Sequence, residues 1–153
     1  MARPPRLDED QRLLWKAYRD LFHGLSTELE GQLLRDAGLS GSEYAVLVAL
    51  SHAPDAVLRA RELCTELAWD RSRLSHLVAR MENRGLVSRE ACAEDARGSM
   101  VRLTETGRAA VEDAAPEHSE AIRRYFFNQL TKAELAQLSG MLHRLLDHLP
   151  HQT

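Results

Sequence analysis

Between Asp70 and Leu103 the chain concentrates the residue types that read nucleic acid. Ser72, Ser75, His76 and Ala79 fall on one face at helical spacing, and Arg71, Arg73 and Arg80 stand beside them. Short polar side chains let a helix sink into a major groove, while long guanidinium groups at its borders reach guanine edges or phosphates. Further on, Arg97 precedes Gly98, a residue suited to a turn, and would project from the tip of a hairpin. A single arginine at such a tip suits the narrow minor groove, where negative potential is focused. Asp95, two residues earlier, is placed to brace that guanidinium through a charge-assisted pair.

Other chemistries lack their residues. The sequence has no Gly-rich phosphate loop, no G-x-S-x-G, no H-E-x-x-H and no C-x-x-C. Of the seven histidines, His148 and His151 are three apart but sit at the tail beside Pro150, and the other five are dispersed. Neither a metal nor any other cofactor is expected on that spacing, and no enzymatic constellation is present.

Positioning these side chains takes a compact frame. Asp70 is a helix cap, and Leu74, Leu77, Val78 and Met81 form the apolar stripe of the helix it opens. Gly85, after Asn83 and Arg84, stops that helix. A shorter helix, roughly 61–68, precedes it with Leu63, Cys64 and Leu67 facing inward, and Ala68-Trp69-Asp70 is a link of helix-turn-helix length. Residues 86–90 and 100–103 read as two short strands joined by the charged segment 91–99, and 57–59 as a brief third strand. The fold class expected is mainly α with a small β-wing.

Around that reader lie amphipathic helices. A long one spans about 8–36, with Leu14, Tyr18, Leu21, Leu25 and Leu29 or Leu33 on its apolar side and Gly38 at its end. Ser40-Gly-Ser-Glu43 and Thr131-Lys-Ala-Glu134 are capping boxes that open further helices, and Thr104 caps another, which Pro116 is expected to kink. Apolar faces this long call for partners, and a second copy of the chain supplies them.

The runs WDRSRLSHLVARMENRGLV and DARGSMVRLTETGRAAV resemble the MarR family of bacterial winged-helix transcription regulators. The resemblance spans about residues 10–149, and D-x-R-G followed by L-T-x-x-G is its most specific part. It implies one MarR-type domain over 1–153, with dimerisation helices at 8–36 and 105–149 around a winged helix-turn-helix at 40–104. It also implies a homodimer on a double-stranded inverted repeat. Arg71, Ser72, Arg73, Ser75 and His76 then fall on the recognition helix, with Arg80 beside them, and Asp95 and Arg97 on the wing. Many members lose DNA affinity when a small phenolic or lipophilic effector binds between the dimerisation helices and the winged region. Trp15, Tyr18, His23, Tyr44 and His52 suit such a pocket for a planar acid or phenol, although packing alone also accounts for side chains of these types.

The net charge of −3 runs against nucleic acid until it is divided. Residues 70–108 hold eight arginines against six acidic residues, a local +2, and the remainder, with twelve basic and seventeen acidic residues, is −5. An acidic scaffold carrying a basic reader is compatible with DNA. Without a signal peptide or an apolar run of spanning length, the chain reads as cytoplasmic with no membrane partner. Two cysteines make no disulfide framework there. Two other readings remain open: a helical dimeric module that binds proteins and not DNA, and a thiol-responsive regulator acting through Cys92. Family members that sense oxidants typically use a cysteine near the first helix, which this chain lacks.

Overall fold

A computed structural model describes residues 6–92 and 95–150, and the side chains of all of these except 92 and 95–97. The chain divides into two compact units, 1–118 and 119–153.

The first unit opens with α1 (Glu9–Ala37). Asp8 and Gln11 form a reciprocal cap: the Asp8 N–H donates to the Gln11 side chain at 3.1 Å and the Gln11 N–H to the Asp8 side chain at 2.8 Å. Gly38 ends α1 in the left-handed region, φ 64°, where a Cβ is costly. The expected apolar stripe is present, but within one chain only the C-terminal part of α1 is covered. Leu33 is buried, while Leu14, Tyr18 and Leu21 are exposed. Helix α2 (Gly41–His52) begins at the expected Ser40–Glu43 capping box and places Val46, Leu47 and Leu50 at the centre of the core.

A 3₁₀ turn, Pro54–Ala56, leads into β1 (Val57–Arg59), then α3 (Ala60–Leu67) and α4 (Arg71–Asn83). The strand order is β1-β3-β2, all antiparallel, with β2 (Val87–Cys92) and β3 (Asp95–Leu103) forming the hairpin. Arg102 ties the sheet to the 3₁₀ turn. It donates to Glu90 across the strands at 2.6 and 3.2 Å and to the Asp55 carbonyl at 3.1 Å. That carbonyl belongs to one of two successive residues, Asp55 and Ala56, held at positive φ.

The hairpin differs from its sequence reading. Its arms extend through most of 91–99, which was expected to be a loop. Ala91 pairs with Ser99 and Cys92 with Asp95, so one step along β2 answers to four along β3. Gly98 and Arg97 therefore lie in the stretch of β3 where the register shifts, between Asp95 and Ser99, and not at the hairpin turn. The physical reason is that a glycine marks either a bulge or a turn, and local sequence does not tell them apart.

The core joins α2, α3, α4 and the sheet, through Leu63, Leu74, Leu77, Val78, Met81 and Val101 among others. Helix α5 (Glu105–Tyr125) runs on through Pro116 as one element, so the proline does not interrupt it. The second unit holds the end of α5, a 3₁₀ turn at Phe127–Gln129 and α6 (Lys132–His148), opened by the expected Thr131–Glu134 box. Helix α6 leaves Met141, Leu142, Leu145, Leu146 and Leu149 exposed along its side and C-terminal end.

Candidate nucleic-acid interface

Helix α4 begins where Asp70 accepts from the Arg73 backbone N–H at 2.8 Å. The turn before it is closed by Ala68 at φ 53°, with the Ala68 and Trp69 N–H groups donating back to Thr65 and Cys64. Leu74, Leu77, Val78 and Met81 are all buried, which fixes the roll of the helix. The same roll leaves Arg71, Ser72, Ser75, His76, Ala79 and Arg80 exposed together on the outer face.

Arg73 departs from that pattern. Its guanidinium lies 4.1 Å from the centre of the Trp69 ring and donates to Ser42 Oγ at 3.3 Å. A cleft of about 430 Å³ opens between α3, α4 and the hairpin, with Arg71, Ser75, Arg89 and Ser99 among its walls. Arg89 also crosses from β2 to donate to the Ser75 carbonyl at 2.9 Å, so the base of the wing is fastened to the middle of α4. Arg59, Arg61 and Arg89 face this cleft and were not singled out from sequence. For Arg89 the signal was the surplus of arginine over 70–108, which gives charge but not direction; Arg59 and Arg61 lie outside that stretch and had no such signal. The Asp95–Arg97 side-chain pair lies outside the described residues, as does the Cys92 thiol.

Of the five effector residues named from sequence, two are in ring contact with each other. Trp15 and Tyr18 stack at 5.3 Å on the exposed side of α1. His23, also on α1, and His52, at the end of α2, are exposed. Tyr44 is half-buried, and its ring meets His118 edge-on at 4.7 Å. Neither the cleft beside α4 nor the cavity at residues 119–128 is lined by any of the five.

His118 was missed. Its signal was a helical period, since Val111, Ala114 and Ala121 on the same face are buried. Gln32 Nε2 donates to Asp36 at 2.9 Å, so its carbonyl oxygen faces His118 Nδ1, also at 2.9 Å, and Nδ1 must carry the proton. Burial holds the His118 pKa below its ordinary value of 6.5 and the Tyr44 pKa above 10.0. Folded chains therefore bind fewer protons at His118 than unfolded ones. This contribution to stability is complete above about pH 6.5 and is lost as the pH falls below it. Chemical denaturation between pH 7.5 and 5.5 (a window set by the ordinary histidine range) is expected to show His118→Gln with a shallower loss than the parent. Equal slopes would contradict it.

Residues 37–98 match the MarR family. Two solved structures from Streptomyces coelicolor are close in fold and sequence. The MarR family regulator Sco3205, in complex with DNA, is 35% identical with a TM-score of 0.93, covering 98% of this chain and 95% of that one. This chain belongs to the MarR family. The family member AbsC is 34% identical with a TM-score of 0.91, covering 97% and 99%. Among curated relatives, the HTH-type transcriptional repressor IacR of Pseudomonas putida is 29% identical over 92% of this chain and 81% of its own length. The protein is thus a DNA-binding transcriptional regulator with a MarR winged helix, as its sequence motifs implied.

Membership also gives the L-T-x-x-G motif a physical meaning here. Thr104 Oγ donates to the Gly85 carbonyl at 2.6 Å and accepts from the Gly107 N–H at 3.0 Å, which clips the start of α5 to the turn after α4. Gly107 is buried against Leu86, where a side chain has no room.

Proposed function

We propose that this MarR-family protein is a repressor that binds an inverted-repeat operator as a homodimer and is released by a small aromatic acid or phenol. The observation that carries the reading is the outer face of α4, where Ser72, Ser75 and His76 stand exposed between Arg71 and Arg80, next to the hairpin. In this reading these five contact base edges and phosphates in the major groove, and Asp95 and Arg97 serve the flanking minor groove. Arg73 is outside the set, since its guanidinium is committed to Trp69 and Ser42.

Exposed Leu14, Trp15, Tyr18 and Phe22 on α1 support pairing of two chains through residues 8–36, and the exposed leucines of α6 support it through 105–149. The winged region 40–104 is the reader, and the protein works in the cytoplasm. The effector acts by population shift, favouring a separation of the two readers that no longer matches the half-sites.

Affinity for duplex DNA against salt is the test. A loss of about a thousandfold or more between 50 and 200 mM salt is expected for a dimer making six or more phosphate contacts. A salt-independent signal would favour the protein-binding module. Addition of salicylate-type acids or chlorophenols should weaken binding at constant salt, and affinity indifferent to the whole series would remove the effector from the proposal. Substituting Ser75 or His76 by alanine should change the preferred bases in a site selection, with an unchanged site counting against direct readout by those residues.

A further inference from the structure

Both ends of the recognition helix are fastened to one short segment, the junction between α1 and α2. At the C-terminal end, Arg84 Nη1 lies 2.7 Å from both carboxylate oxygens of Glu43, and Nη2 donates to the Gly38 carbonyl at 3.0 Å. Glu43 is a buried acid, and it is also the capping partner of Ser40, whose N–H donates to it at 2.9 Å. At the N-terminal end, Arg73 lies on Trp69 and reaches Ser42 Oγ. The junction is tied back in turn to α1, where Glu30 accepts from the Gly41 N–H at 2.9 Å. Residues 38–43 thus touch α4 at both ends and α1 behind.

We propose that Arg84 and Arg73 are positioning residues for DNA reading: with Glu43, Ser42 and Gly38 they form a two-point clamp that sets the orientation of α4 relative to α1. The assignment rests on α4 being the reading element and goes beyond it, because neither arginine is then a reader. Two attachments well separated along a helix fix its tilt, which one cannot do. Glu43 suits the task, since a buried carboxylate keeps its place only while Arg84 and the Ser40 N–H satisfy it. The hydrogen bonds at Gly38, Gly41 and Glu43 join α4 to the end of α1 through this one junction. Charged side chains beside a reading helix are ordinarily taken as phosphate ligands. The geometry separates the two roles, because a clamp sets affinity without releasing counterions.

The experiment measures affinity and its salt slope on a duplex recovered from a random pool, for the parent chain, Arg84→Met, Glu43→Gln, Arg73→Met and Arg71→Ala. Glu43→Gln retains the shape and part of the hydrogen bonding, and thermal unfolding checks that each variant is folded. Arg84→Met, Glu43→Gln and Arg73→Met are expected to lower affinity between about twofold and thirtyfold, as residues that couple two elements do. Their slopes of log K against log salt should equal the parent's. A slope shallower by about 0.9 for each phosphate no longer neutralised would make Arg84 or Arg73 a phosphate ligand and overturn the assignment, as would unchanged affinity. If Arg84→Met does not fold, Glu43→Gln decides by the same two readouts. If no duplex is recovered, α4 is not the reader and the clamp falls with it. If Arg71→Ala weakens binding while the clamp variants do not, only the clamp is wrong.

Discussion

Gly107→Ala is expected to destabilise the protein by more than about 3 kcal/mol, beyond the ordinary range for a point change. An added Cβ would overlap the Leu86 carbonyl oxygen and stand 3.0 Å from its carbonyl carbon and 2.8 Å from Leu103 Cδ1. The obstacle is backbone, so no rotamer change relieves it. That carbonyl also accepts from the Thr104 N–H at 3.2 Å, and Thr104 is itself bonded to Gly85. Moving α5 away therefore opens the clip that joins the end of α4 to the start of α5. In a chain of this size each kcal/mol lowers the melting temperature by about 2–4 °C, so a fall of roughly 10 °C should appear by calorimetry. Gly24→Ala is the matched control. Within a single chain nothing lies within 4 Å of its Cβ position, so no comparable backbone overlap is expected there. A Gly107→Ala protein melting with the parent would show that this close approach is not what the L-T-x-x-G glycine serves.

Arg71→Ala is expected to weaken operator binding by about tenfold to a hundredfold, the range for a specific arginine contact of about 1–3 kcal/mol. Arg71 is the first residue of α4, exposed, at the mouth of the cleft shared with Ser75 and Ser99. The N-terminal turn of a recognition helix is the part that lies deepest in the groove. Stability should stay within about 0.5 kcal/mol of the parent, because an exposed side chain takes little packing with it. Fluorescence anisotropy on a labelled duplex reads the affinity, and thermal melting reads the stability. Unchanged affinity in a well-folded variant would remove Arg71 from the interface.

What could be read from sequence follows the range of the interactions. The capping boxes at Ser40 and Thr131 appeared where expected, because a cap is satisfied within three residues of itself. The stripe Leu74, Leu77, Val78 and Met81 was equally legible, since a helical period needs no knowledge of what covers it. The roll of α4, and with it the outer face of the proposed interface, followed from those four residues. The wing was less so. Strand pairing is non-local, and Gly98 gives the same local signal for a bulge as for a turn, so the arms were drawn too short and Arg97 was put at a tip it does not occupy. The roles of Arg84, His118 and Gly107 were hidden for a different reason. Each owes its role to a partner far along the chain (Glu43, Gln32 and Leu86), and no local pattern names such partners. Arg73 looked like its neighbours on the helix until Trp69 and Ser42 were seen beneath it.

Two copies of α4, held by paired chains, are expected to read neighbouring turns of one duplex. Selection of bound DNA from a random pool, followed by determination of the stoichiometry on the recovered site, tests it most directly. An inverted repeat should emerge with half-site centres about 10–10.5 base pairs apart, or a multiple of that, occupied by two chains together. Recovery of a single asymmetric half-site filled by one chain, or of no preferred sequence, would contradict it.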